Sequence, residues 1–507
     1  MISADDLAAL RSETQRYRIF CVPFGTFQAR SYTTINQTKS VATVDDADWQ
    51  PVLNLGTHRI AFVDEAISFD ALRSFYRGEG LGAGTVTGGD WTFEDADTPT
   101  ASGIGPHSVS WDTPGLYDVT YTVGTTMARR YVRVLASRDE SYWDLVNISG
   151  LSGDVNQGWG AQITIMPNDD NGVPVSVSDY QCVGIFVEDL WGPSGTMRVI
   201  GAYDPDPKLV MMGYVKTGTV QVDANTHSVT FVLESIAGQL KNIQVHKTAC
   251  WFGTTPTSFG TEFTGIGEMK ITDPPLWLLQ YKTNILQQHD YYSFWNGTLQ
   301  SLETIEGAEA SCWSVLDSWA KSNFLLLYAD AGNGIRFAPD RQVVVDNDWE
   351  SEFPVRFIAE ESLLSLCSLN ENKQRNVIYV QVVATDTKRQ RQKVGEYPNA
   401  DTGVIEGPPV GPGSWIKRKD LLGNSQAWVD QIAERLYLVA NRKWTGSLNF
   451  FLNRACHPGD LIELTFTLED RGLDWIEKLF LVESVSYDID PAQNIWKTTI
   501  RISEDVI

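Results

Sequence analysis

The sequence predicts a mainly β chain with α+β material at its centre, and three observations carry that prediction. The first is Cys182–Ser235, where Val183, Ile185 and Val187 alternate with Gly184, Phe186 and Glu188. Leu209–Val215 then forms an apolar run, and Val220, Val222 and Ala224 alternate with polar neighbours before Val229–Leu233. Period-two patterning broken by Gly, Pro, Asn and Asp is the mark of a meandering antiparallel sheet or small barrel. The second is Gly446–Ile502, of the same character, with turns at Pro458-Gly459-Asp460, Glu469–Gly472 and Asp490-Pro491. The third is the helical spacing between them, described below.

The chain begins with an amphipathic helix candidate, Asp5–Arg16, followed by an aromatic-rich strand segment, Tyr17–Tyr32. A polar stretch ends in Asp45-Asp46-Ala47-Asp48-Trp49. This acidic cluster lacks the Gly and terminal Glu of a calcium loop, so a solvated turn is expected. Residues 1–51 are read as an N-terminal segment.

Residues 52–136 read as a separate β-sandwich. Ile67-Ser68-Phe69-Asp70-Ala71 opens it, Asp90-Trp91-Thr92-Phe93-Glu94-Asp95 lies in the middle, and His107–Trp111 precedes Pro114-Gly115-Leu116-Tyr117 and Asp118–Val123. That order resembles the PKD family of immunoglobulin-like sandwiches. The sequence departs at Glu94, where the family has Gly, and at Ser110-Trp111, where a Tyr strand position is expected. Trp91 and Phe93 are expected in the core, Pro114-Gly115 sets the turn into the last strand, and His107 is expected as a turn residue.

From Trp159 onward the strands of a first β unit, 145–248, begin, with a hairpin turn expected at 167–174. Residues 250–355 switch to α+β. Asp273-Pro274 is a helix start, with Asp as N-cap and Pro at the first helical position. Ala310–Asn323 places Cys312, Val315, Leu316 and Trp319 on one helical face, and Leu325–Tyr328 and Gly334–Phe337 read as strands around a turn.

Residues 356–507 make a second β unit with helices. Ala359–Asn370 reads as a helix and Asn376–Ala384 as a strand entering that unit. Lys388-Arg389-Gln390-Arg391-Gln392-Lys393 is read as the one cationic cluster of an acidic chain, and a solvated strand end or a docking contact for an acidic neighbour is expected. Gly395–Trp415, rich in Pro and Gly, reads as a long loop. Gln426–Arg442 is a helix with Trp428, Ile432, Leu436 and Val439 on one face.

At 507 residues the chain has room for about three or four domains. A net charge of −24 argues against a nucleic-acid groove and against adhesion to anionic lipid. It is compatible with a duct through which DNA passes without sticking. The 17 Trp residues fit large β surfaces and subunit interfaces, and equally rings that fill sandwich cores. Six dispersed cysteines with no CxxC pair indicate neither a disulfide framework nor zinc. No signal peptide and no membrane span is read, so synthesis in a cytoplasm is expected.

Catalytic motifs are missing: no GxSxG elbow, HExxH, phosphate loop or dinucleotide fingerprint is present. Gly78–Gly84 is glycine-rich without a following Lys-Ser/Thr and reads as a flexible loop, and the six histidines show no i, i+4 pair. No enzyme activity, catalytic residue, metal site or cofactor is expected.

The order β unit, α+β domain, strand and helix, β unit resembles the tail hub, or baseplate hub, proteins of tailed bacteriophages. The fragments that carry it are Val210–Val215, Asp223–Thr226, Val229–Ile236, Cys312–Asp317, Leu325–Asp330, Ile335–Pro339, Asn376–Val380, His457–Ile462, Leu479–Tyr487 and Thr498–Ile502. Together they span about 145–507, which leaves the N-terminal 140 residues as a decoration. The resemblance implies that the two β units are tube-like barrels of a homotrimeric ring. Three chains with two barrels each present a pseudo-sixfold surface to a hexameric tail tube. It also implies a place at the virion tail tip, with a tail tube or distal tail protein, a tape-measure protein and tail fibre or spike proteins as partners, and a part in DNA ejection. No sequence-specific nucleic acid binding and no stable membrane insertion is expected. Trp475, read beside Asp474 in a turn, is a possible interface anchor, with Arg389 and Arg391 as possible docking cations. Two other classes stay open: a surface adhesin or carbohydrate-binding protein, and a polysaccharide hydrolase acting through a carboxylate pair.

Overall fold

In the computed structural model of the chain, the described residues are 17–25, 50–53, 55, 58–72, 74–77, 84–124, 126–136, 143–155, 157–166, 177–189, 207–242, 244–245, 249–252, 255–256, 291–293, 303–305, 310–322, 325–329, 335–339, 357–359, 366–371, 377–386, 391–398, 413–422, 426–441, 444–451, 458, 461–468, 473–490 and 495–504. The mainly β architecture that the alternation predicts is what these residues form. The helices expected at Asp5–Arg16 and from Asp273 lie outside them, as does the turn at 167–174.

The first strand, β1 (Tyr17–Gly25), belongs to a sheet whose other members come much later. Between them the chain builds a sandwich from β2 (Arg59–Phe62), β3 (Ile67–Phe69), β4 (Asp90–Phe93), β5 (Thr100–Ser102), β6 (His107–Val109), β7 (Gly115–Val123) and β8 (Thr126–Leu135). One sheet has the order β2-β8-β7-β4-β5, and β3 pairs β6 in a second. β2 runs parallel to β8, and the other pairs are antiparallel. Trp91 and Phe93 are buried between the sheets, as expected, stacked at 5.6 Å with 4° between ring planes.

Buried indoles need a partner for their N–H. Trp91 Nε1 donates to the Gly103 carbonyl and Trp111 Nε1 to the Glu94 carbonyl, both at 2.8 Å. Glu94 stands where the PKD pattern has Gly, and its carboxylate accepts from the Asp118 N–H at 2.9 Å. Tyr117 Oη donates to the Thr113 carbonyl at 2.9 Å, a tyrosine corner that pins the Pro114-Gly115 turn. His107 is a correction: it is a strand residue, the first of β6, opposite Phe69, with its ring edge-on to Trp91.

The chain then returns as β9 (Trp143–Asp154), β10 (Gly158–Ile165), β11 (Cys182–Asp189), β12 (Lys208–Val215), β13 (Gln221–Asp223) and β14 (Ser228–Glu234). Pairing runs β1–β11–β12–β14–β10–β9, all antiparallel. β9 meets β1 again through Phe20↔Asp144 and Cys21↔Trp143. Six strands therefore close into a ring. The N-terminal segment, expected to lie outside the β units, supplies one of those staves, and the sandwich is an insertion between β1 and β9. In β14, Val229, Phe231 and Leu233 alternate inward, whereas the apolar run of β12 is buried on both faces. Cys21 and Cys182 are wholly buried free thiols, and burial pushes both thiols up.

Ser235, between β14 and α1 (Ile236–Asn242), accepts the Trp159 N–H on its hydroxyl at 3.0 Å. α1 lies beside α2 (Cys312–Ser322), where Lys241 Nζ sits 6.0 Å from the Trp313 ring centroid. Of the expected face of α2, Cys312 and Leu316 are buried, with Trp313 and Ala320 buried beside them. β15 (Leu325–Ala329) and β16 (Ile335–Pro339) pair antiparallel, as their turn predicts.

The last third holds β17 (Phe357–Ala359), β18 (Leu366–Glu371), β19 (Val377–Asp386), β20 (Arg391–Tyr397), β21 (Ser414–Leu422), α3 (Gln426–Ala440), β22 (Trp444–Phe451), β23 (Leu461–Leu468), β24 (Leu473–Asp490) and β25 (Ile495–Glu504). Two expectations are corrected here. Residues 366–370 of the expected helix Ala359–Asn370 are strand, because Leu366–Glu371 finds β22 as a partner across six residue pairs. The strand from 376 does not enter the second β unit. It is the centre of a separate sheet, β20-β19-β21, with α3 packed on one face. The loop expected at 395–415 is shorter at both ends, since Gly395–Tyr397 belongs to β20 and Ser414-Trp415 to β21.

The second β unit runs β18–β22–β25–β24–β23–β17, and among the described residues its ends do not pair with each other. It joins the first unit directly: β9 pairs β24 through Ser152↔Ser486, Gly153↔Val485 and Asp154↔Ser484. The result is one thirteen-stranded sheet with one core cluster running through both units.

Candidate assembly site

The junction between the β units is built from two forked strands. One edge of β9 pairs β10 along its length, while the other is divided between β1 at 143–144 and β24 at 152–154. β24, the longest strand, gives one edge to β25 and divides the other between β23, at 473–481, and β9, at 484–486. Right-handed twist lets long strands splay in this way, so each half of an edge serves a different neighbour.

Side chains cross the junction where the strands diverge. Gly153 lies opposite Trp159 on one side and Val485 on the other. A Cβ on Gly153 would sit 2.3 Å from the Trp159 ring, so the indole lies directly over the glycine. From there it stacks on Tyr487 of the second unit, with centroids 6.2 Å apart and 25° between planes. Tyr17 of β1 meets Trp496 of β25 edge-on at 5.4 Å. All four rings are buried. Both β units therefore contribute buried rings to one core cluster.

Charges collect at the rim of this seam. The Val155 N–H donates to the Glu483 carbonyl at 3.0 Å. Burial pushes the Asp154 carboxyl up, Arg501 and Lys241 pull it down, and Glu483 adds to the rise. Among the described residues no group of three or more His, Cys, Asp or Glu comes together as a metal site. Among them, too, no helix is long and apolar enough to cross a membrane.

Of the three interface residues expected from sequence, the two described, Trp475 and Arg391, lie in different sheets. Trp475 is a strand residue of β24 opposite Phe466, not a turn residue. Arg391 opens β20 opposite Asp386, in the separate three-stranded sheet, and Arg389 lies outside the described residues. The seam aromatics Trp159, Tyr487, Tyr17 and Trp496 were missed, although Gly153 directly across a hairpin from Trp159 is a signal that sequence alone offers.

A second cationic stretch was also missed. Lys417-Arg418-Lys419 lies in β21, on the opposite edge of β19 from β20. Of the first basic stretch, Arg391 and Lys393 lie in β20, on the other side of β19. The face of this sheet away from α3 carries Trp415 against Tyr379, ring centroids 5.7 Å apart. Next to them Gln381 Nε2 donates to Glu396 Oε1 at 2.7 Å. Burial, with the hydrogen bond to Glu396, pushes the Tyr379 hydroxyl up.

No family model and no curated protein matches the chain. Among solved structures, it is similar to a tail protein from Neisseria meningitidis, with a TM-score of 0.44 and 12% identity over 76% of this chain and 95% of that one. It is similar to the 43 kDa tail protein of prophage MuSo2 from Shewanella oneidensis, with a TM-score of 0.40 and 9% identity over 76% and 98%. A prophage tail protein from Listeria monocytogenes gives a TM-score of 0.40 and 12% identity over 72% and 91%.

Proposed function

We propose that this chain is a structural component of a bacteriophage tail tip, a trimeric baseplate hub that caps the tail tube, joins a sixfold tube to a threefold tip and takes part in DNA ejection. The observation that carries the reading is the seam: two β units of six main strands each are fused side by side through β9 and β24 into one sheet. It supports the reading by symmetry. Three copies around a closed ring place six β units in a circle, with every second junction covalent. A seam of main-chain hydrogen bonds and buried rings gives such a ring walls that do not shear when a tube stacks on it. The residues quoted above for the hub resemblance fall in both units, which is the second support.

In this reading the tail tube or a distal tail protein, the tape-measure protein and fibre or spike proteins are the partners, and the reading involves no enzyme activity. The 52–136 insertion is a PKD-like module carried by the hub, and Trp475, Arg389 and Arg391 are contacts to neighbours. The test is the solution mass of the purified chain by light scattering, followed by electron microscopy with and without the tube protein. A trimeric ring with six density lobes is expected. A monomer that stays monomeric on an assembled tail tube would overturn it.

A further inference from the structure

We propose that the sandwich is latched onto the first β unit through a joint at His58 and Tyr131, and that protonation of His58 opens it. The joint lies within one chain, so the inference stands apart from the hub reading.

Strand parity shows which faces meet. In β8, Ala128, Val132 and Val134 belong to the sandwich core, which turns Tyr131 and Leu135 outward. In β2, Ala61 points inward with Arg59, whose guanidinium lies 5.0 Å over the Phe69 ring, so Ile60 and Phe62 share the outward face. These four outward residues are nevertheless buried, and they stand outside the sandwich core. The first β unit carries a matching face. Tyr17, Ile19 and Cys21 of β1 belong to the core inside the ring, yet Phe20, Val22 and Phe24 on the other side of the strand are buried too. Phe186 of β11 stacks on both Phe20 and Phe24, with centroids 6.1 Å apart in each pair. Two sheet faces that would each meet water alone are thus both dry, as when sheets pack face to face. Burial, the Cys182 thiol and the Tyr131 hydroxyl push the Tyr214 hydroxyl of β12 up, in keeping with Tyr131 of the sandwich lying beside the ring.

His58, just before β2, sits in this joint. It is buried, its ring stacks on Tyr131 at 5.3 Å, and its Nδ1 accepts the Tyr131 N–H at 2.9 Å. An imidazole that accepts at Nδ1 carries its lone pair there, and a proton on that atom would set two donors against each other. The groups around it are these. Arg129 and Arg133 flank Tyr131 on the outward face, Arg130 is buried between them, and Asp118, opposite Tyr131 on β7, pairs with Arg129 at 3.6 Å. From the ring come the Tyr214 hydroxyl and the Cys182 thiol, both pushed up by burial and so neutral. Farther along the outer face of the ring, Glu188 stands opposite Arg18. A proton on His58 would therefore add a cation beside three arginines in a dry joint. The open state, with His58 in water, takes that proton more readily. The latch accordingly weakens as pH falls through the imidazole range and is restored as pH rises.

The experiment follows the full chain and its His58→Asn variant from about pH 8 to about pH 5.5, which spans the imidazole range and stays above the pI of about 4.6. Asn keeps an acceptor near the Nδ1 position and cannot be protonated. Small-angle scattering reads the separation of sandwich and ring, and binding of an apolar dye reads exposure of the two faces. On acidification the unmodified chain is expected to gain radius of gyration at unchanged mass, with dye fluorescence rising severalfold and reversibly. Near-UV circular dichroism from the buried Trp91 and Trp111 is expected to persist. His58→Asn is expected to stay closed across the range, and Tyr214→Ala, on the ring side, to bind dye already at about pH 8. Equal opening in His58→Asn overturns the inference. So does an unmodified chain that neither expands nor binds dye, a result that decides the matter alone if the variant does not fold. Loss of the near-UV signal together with expansion means acid unfolding rather than an opened joint, and overturns it as well.

Discussion

The Trp159 indole lies over Gly153 and stacks on Tyr487, so one ring from the first β unit reaches the second by passing above the strand between them. The seam is thus held by more than three backbone pairs. Burial of Tyr487 places most of its ring against the shared core. Truncating a large buried aromatic costs about 3–5 kcal/mol. Tyr487→Ala is expected to lower unfolding free energy by about 3 kcal/mol, read by urea denaturation. A loss below about 1 kcal/mol would mean the two units do not depend on this ring.

Gly153→Ala tests the same contact from the other side. The added methyl would lie within 2.3 Å of the indole, and a ring fixed between strands cannot swing away freely. Overpacking of this kind costs roughly 1–3 kcal/mol. Since both substitutions act on Trp159, the double variant is expected to lose less than the sum of the singles. Strict additivity would show that Gly153 and Tyr487 do not share the indole.

Much of this fold is legible in the sequence because it rests on local period. The alternation of 182–235 gives β11 to β14, and the spacing of Ile432, Leu436 and their neighbours gives α3. What escapes is decided by partners distant in sequence. Leu363, Leu366 and Cys367 fit a helical spacing, yet 366–371 become strand because β22 pairs them. β1 cannot be assigned to the ring from its own residues, since its partner β11 lies beyond the whole sandwich insertion. Nothing local says that 391–397 and 414–422 flank the same strand.

Gly395 shows how closely the separate sheet is packed. A Cβ there would stand 2.3 Å from the Val429 carbonyl of α3, and that atom is backbone, which cannot rotate aside. Gly395→Ala is therefore expected to push α3 off β20, at a cost of about 2 kcal/mol or more. Hydrogen exchange should speed up at α3 amides while the thirteen-stranded sheet keeps its protection. Uniform acceleration across both sheets would contradict the independence of this layer.

Asp154 gives the seam a pH dependence of defined sign. Burial is the main reason its carboxyl is pushed up, only partly offset by Arg501 and Lys241. A raised folded value means that, above the ordinary carboxylate range, the native state holds more proton than the unfolded chain. Stability contributed at this site therefore falls as pH rises through the window between the two values, and is restored on acidification. Asp154→Asn removes the ionisation and keeps the shape. The variant is expected to melt above the unmodified chain near neutral pH, with the gap closing as pH falls to about 4 and below, where the unfolded carboxyl is also protonated. Melting curves of the two proteins across that range measure the gap directly. A gap that stays constant with pH would show that the Asp154 charge carries no cost at the seam, and a gap of opposite sign would show that Arg501 and Lys241 outweigh the burial.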